Sequence, residues 1–120
     1  MRNALLVCIL LCGFMACQKA NDKNPALFGK WQGEKWLIFD KPSDLDAKKV
    51  SFEFKEDGTY SSKFGEQGDS GVWRTEKDKL YTQAEGKKEI MVRLITADGT
   101  HLNFEMNRGG QKETLELIKQ

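Results

Sequence analysis

Histidine is nearly absent from this chain: His101 is the only one. It follows the turn "ADGT" with no cysteine or second histidine near it, which argues against a metal cluster, and no nucleophile motif accompanies it. Proline is scarce too, at Pro25 and Pro42 alone. Of three cysteines, Cys8 and Cys12 fall inside an apolar leader, so a chain without that leader has no pair for a disulfide. The uncharged stretch Ala4 to Cys17 is about 14 residues, short of the roughly 20 that a membrane-crossing α-helix needs. Neither charge is in excess. Residues 1–16 hold only Arg2, and without them 18 basic side chains face 18 acidic ones. The two signs are interleaved ("KEDG", "RTEKDK", "EGKKE") and form no basic stripe, which argues against a nucleic-acid partner.

What is present begins with "MRNALLVCILLCGFMACQKANDKN": one basic residue, an apolar core and an abrupt polar change, the layout of a secretory signal. Its end, "FMAC", resembles the lipobox of bacterial lipoproteins, with Ala16 immediately before Cys17. The resemblance implies cleavage after residue 16 and lipidation of Cys17, whose thiol is then blocked as a thioether. Each lipid CH₂ buried in the bilayer contributes about 0.8 kcal/mol, so several acyl chains anchor a protein without any protein contact. Gln18, rather than Asp, follows Cys17, and by the same resemblance the expected home is the outer membrane, on either leaflet. "QKANDKN", Gln18 to Asn24, lacks periodicity and reads as a flexible tether. "NPALF" offers Asn24 as an N-cap and Pro25 as a first helical residue, enough for one turn, so residues 17–27 are assigned to anchor and tether.

Residues 28–120 suffice for one domain. Their dominant signal is period two, broken by turn residues at the spacing of an all-β barrel or sandwich. "VSFEFK" alternates Val50, Phe52 and Phe54 against Ser51, Glu53 and Lys55, and "TYSSKF" does the same after the hairpin signal "EDGT". Six more strands are expected at Trp31–Phe39, Gly71–Thr75, Lys79–Gln83, Glu89–Thr96, His101–Met106 and Glu113–Ile118. Eight short antiparallel strands in chain order predict a small up-and-down barrel, because closure removes exposed edges. "GEQGDSG" reads as a flexible loop without the ligands of a calcium site. The one long connection, Asp40 to Lys49, is either a lid over a barrel mouth or a surface crossover, with Ser43 and Asp46 spaced to cap a short helical turn.

Gly29 and Trp31 opening the first strand, "FEFKEDGTY" as the second hairpin, and "GVW" at Gly71 to Trp73 together resemble the small lipocalin-like domains of bacterial outer-membrane lipoproteins. The resemblance implies that Trp31 plugs the closed end of the barrel and that Gly29 lets neighbouring chain approach. It also implies a small apolar ligand in the barrel or at its mouth.

Eight strands enclose room either for side chains alone or for one small ligand. The ligand-binding candidates are Trp36, Phe52, Phe54, Tyr60, Phe64, Trp73 and Tyr81, and both a packed core and a small apolar cavity remain open. Trp36, beside Leu37, Ile38 and Phe39, is read as a rim or contact patch, or else as part of a strand buried on both sides. Tyr81, opposite in phase to Leu80, either adjoins that patch or packs in the wall. No constellation of catalytic groups, cofactor motif or metal site is recognisable. Two non-enzymatic classes remain: a membrane-anchored binder of a small apolar molecule, and an interaction module for another envelope protein.

Overall fold

The structure, a computed structural model, describes residues 22–120. The leader, the lipobox and Cys17 lie outside the described residues. Among the described residues nine antiparallel strands follow in chain order: β1 (Gly29–Ile38), β2 (Lys41–Pro42), β3 (Val50–Phe54), β4 (Thr59–Phe64), β5 (Gln67–Glu76), β6 (Lys79–Ala84), β7 (Ile90–Ala97), β8 (His101–Arg108) and β9 (Gln111–Lys119). β1 pairs with β3, each strand from β3 to β9 pairs with the next, and β9 returns to β1, so β1 and β3–β9 close an eight-stranded up-and-down barrel with β2 as a short flap on β1.

All eight expected strands occur, with two corrections. β1 ends at Ile38, because Phe39 and Asp40 both take positive φ (48° and 64°) in the tight turn to β2. β5 begins at Gln67, so most of "GEQGDSG" is strand and only Gly65 and Glu66 are turn. The edge of β4 needs a ladder partner, and Phe64 pairs with Gln67 and Ser62 with Asp69.

Register carries one inner face around the barrel. Trp31 stands opposite Phe52, Phe54 opposite Tyr60, Trp73 opposite Thr82, Leu80 opposite Val92, Leu94 opposite Phe104, and Leu115 opposite both Phe104 and Trp36. Trp31 and Trp36 are an odd number of residues apart, and strict alternation puts them on opposite faces. A bulge between Gly33 and Lys35 restores the phase and turns both indoles inward. Gly33 also permits close approach: a Cβ there would overlap the carbonyl of Ala47.

The barrel has a closed base and a mouth. At the base, Pro25–Leu27 forms a single 3₁₀ turn whose cap, Asn24 Oδ1, accepts the Ala26 N–H at 3.0 Å. Leu27 is fully buried there, and its carbonyl accepts the Trp31 indole N–H at 2.8 Å. Gly29, at φ +116°, leaves space for the Lys119 side chain, whose Nζ lies 4.9 Å from the centre of the Trp31 ring. The folded unit therefore starts before residue 28. The Thr75 N–H donates to Asp22 O at 2.7 Å and the Asn24 N–H to Thr75 Oγ1 at 2.8 Å, so the part of the expected tether from Asp22 onward is docked on β5.

The long connection runs within the wall. Its Ser43 N–H and Oγ both donate to Trp36 O, at 3.2 and 2.6 Å. Its 3₁₀ turn Ala47–Lys49 packs beside the upper half of β1, where β3 has not yet begun, and Ala47 is buried. The cap of that turn is Asp46, accepting from Lys48 N at 3.1 Å, while Ser43 is occupied with Trp36.

Candidate functional site

Aromatic rings form a column through the barrel. Trp36 meets Phe64 edge to face at 6.1 Å, Phe64 meets Phe52 at 6.0 Å, Phe52 stacks on Phe54 at 5.6 Å, Phe54 lies 5.1 Å from Trp73, and Trp73 meets Phe28 at 5.9 Å. Each such pair contributes roughly 0.5–1.5 kcal/mol beyond the area it buries. In the lower half the column is sealed: Phe54, Tyr60, Trp73, Leu80, Leu102 and Leu117 are all buried.

The upper half is not sealed. Phe64 and Ile90 face inward by register yet are 42% and 59% exposed, and Phe52, Val92 and Met106 are half-buried. Inward apolar groups left accessible to solvent at the rim, Phe64 ending β4 and Ile90 opening β7, outline a shallow cup above buried Trp36 and Val50, with an aromatic wall on β1, β3 and β4. Next to it, running from β4 across β5 to β6, comes a more polar wall of half-buried Ser62, Asp69 and Thr82. The Tyr60 hydroxyl bonds to Thr82 at the floor. Burial pushes its pKa above the ordinary phenol value, and the Thr82 bond partly offsets the shift. On the rim of the polar wall, Lys87 Nζ pairs with Asp69 at 3.0 Å.

The group that sequence reasoning missed is Glu113. It falls in phase with Leu115 and Leu117 on β9, so it points inward, and it is only 3% exposed. Its Oε1 accepts the Trp36 indole N–H at 2.8 Å, and its Oε2 accepts Gln111 Nε2 at 3.1 Å. Arg108 NH1 stands 3.5 Å from Oε1. A carboxylate in the apolar phase of "ETLELI" is the signal that could have found it, since a buried charge is retained only when donors meet it. A depression of about 500 Å³, bordered by Ile38, Leu45, Arg108 and Gln111, opens to solvent beside it.

Of the candidates from sequence, Trp36, Phe52 and Phe64 line the cup, while Phe54, Tyr60 and Trp73 form its floor and the packed base. One placement chooses between the alternatives of the sequence reading and one departs from it. Trp36 is 9% exposed and buried rather than a surface patch, because the bulge turns it inward onto Glu113. Tyr81 faces outward on β6, four strands from β1 in either direction, with the Arg74 guanidinium 3.9 Å over its ring. His101 sits exposed at the base, its Nδ1 3.0 Å from Thr100 Oγ1. Among the described residues, no group of three His, Cys, Asp or Glu side chains is placed to hold a metal ion.

Residues 27–104 match the family model described as Lipocalin-like domain. Among solved structures, an uncharacterized protein from Bacteroides eggerthii DSM 20697 superposes with a TM-score of 0.55 at 11% identity, over 75% of this chain and 98% of that one. At that identity the likeness speaks to the fold alone. The comparison with curated proteins gives no match.

Proposed function

Because the chain belongs to the lipocalin-like domain family, whose members are generally non-enzymatic binding proteins, we propose that it binds a small apolar molecule in the cup at the mouth of its barrel. What supports this reading is the contrast between the two ends. Large apolar side chains fill the base, whereas at the mouth inward-facing Phe64 and Ile90 remain 42% and 59% exposed. An apolar surface held open inside a barrel stabilises the fold less than a filled one and is suited to a guest. We read the chain as a binding protein without catalytic residues, metal or cofactor. It is attached to the outer membrane through lipidated Cys17, as the lipobox resemblance suggests.

The test is native mass spectrometry of the protein followed by organic extraction, with Trp fluorescence titrated against medium-chain amphiphiles. A bound species or a saturable change, weakened at least about tenfold by Phe64→Asp, is the expected result. No bound species and no fluorescence change with any ligand would sink the reading. The exposed apolar rim residues Phe39 and Leu45 favour a second reading, an accessory module docking on another envelope protein. Stoichiometric co-purification of one envelope protein, lost on Phe39→Ser, would support it.

A further inference from the structure

The geometry points to a cup that selects amphipathic amines, with an apolar body and a terminal ammonium, over fatty acids, and to Glu113 as the group that chooses; this preference rests on the cup reading above. The Glu113 carboxylate lies on the inner face beside the aromatic wall, and its two closest donors, the Trp36 indole N–H at 2.8 Å and the Gln111 amide at 3.1 Å, are both neutral. The nearby cation is Arg108, at 3.5 Å and with its side chain 61% exposed, so much of its charge is solvated and screened. The carboxylate inside the mouth is thus held in place by two neutral donors and by one cation whose own side chain is mostly solvated.

An ammonium group arriving from the rim depression meets a preformed acceptor in a site of low dielectric, where a charge-assisted hydrogen bond is strong. A fatty-acid carboxylate at the same place meets a like charge, and Asp69 on the polar wall adds a second, although Lys87 is paired with it at 3.0 Å. Arg108 offers such an anion only a mobile partner already directed at Glu113. The apolar body in either case lies against Trp36, Phe64 and Phe52.

The test uses the lipidated full chain in nanodiscs of zwitterionic phospholipid, titrated with octylamine, octanoate and octanol, with empty nanodiscs subtracted and the Trp36-dependent part of the emission, the part lost on Trp36→Phe, as the readout. Octylamine is expected to bind at least about tenfold more tightly than octanoate, with octanol between them. Glu113→Gln, which keeps the side-chain shape, is expected to bring the three within about threefold, and Arg108→Ala, an exposed change, to widen the amine preference. Octanoate binding as tightly as octylamine, a preference that survives Glu113→Gln, or octanoate binding abolished by Arg108→Ala would overturn the amine assignment while leaving the cup intact. If none of the three probes binds, the cup reading falls, and the amine assignment falls with it.

Discussion

Asp98 shows how much one exposed side chain decides. Its Oδ1 accepts the backbone N–H of His101 at 2.7 Å, the N–H of Thr100 at 2.9 Å and the Thr100 hydroxyl at 2.9 Å, which holds the turn between β7 and β8. These donors favour the charged form, and they lower its pKa from 3.8 to about 2. The folded state therefore binds this proton less readily than the unfolded chain does. The contribution of Asp98 to stability is complete above about pH 4 and lost as the pH falls through about 2. An NMR titration of the Asp98 carboxyl should give a midpoint near 2, and Asp98→Asn should remove that part of the acid sensitivity; a midpoint at or above 3.8 would refute the assignment. Asp57 repeats the arrangement in the "DGT" before β4, with Thr59 N and Oγ1 donating at 2.9 and 2.6 Å and its pKa likewise lowered. That both segments are turns was legible in the "EDGT" and "ADGT" of the sequence, while their shared place at the base was not.

At the scale of elements, β1 carries the decisive irregularity. Gly33 and the bulge after it give the strand two inner phases, and the Ala47–Lys49 turn packs against the backbone that Gly33 leaves bare. Gln32 Nε2 bonds to the carbonyl of Lys48, and the Gly65 N–H donates to Lys49 O at 2.9 Å, which ties the turn to both sides of the wall. Gly33→Ala is expected to push Ala47 off β1 and to destabilise the protein by about 1–3 kcal/mol, in the range of overpacked cores. Hydrogen exchange should then accelerate at residues 47–50 while the β7–β8 pairing keeps its protection. Equal acceleration throughout would instead mean that the long connection is no separate element. Period two alone could not reveal the bulge, because the register shift is a property of the β1–β9 pair and not of the strand.

For the whole molecule, the two ends of the barrel face opposite ways, and the described chain enters at the base, where Asp22 and Asn24 are bonded to Thr75. If Cys17 carries the lipid, five residue steps separate it from Asp22, at most about 18 Å of chain. The ten-residue strand β1, tilted as barrel strands are, gives a height of about 25 Å. The tether is too short to turn the mouth onto the membrane that holds the anchor, so the cup is expected to open away from it. Glu56→Cys at a base turn and Glu66→Cys at a mouth turn, each labelled with a fluorophore in the lipidated protein on vesicles, provide the check. Energy transfer to a headgroup acceptor should be distinctly stronger from position 56, and equal or reversed transfer would overturn the orientation. The sequence by itself determined the barrel, its eight strands and most of its inner residues, because alternation and turn chemistry are local and one buried face enforces them. Only the tertiary structure decided that Trp36 points inward, that Glu113 meets it, that Tyr81 points out, and that the base is filled while the mouth stays open. Those outcomes depend on cross-strand register and on how rings from distant strands share one interior, which no single stretch of chain encodes.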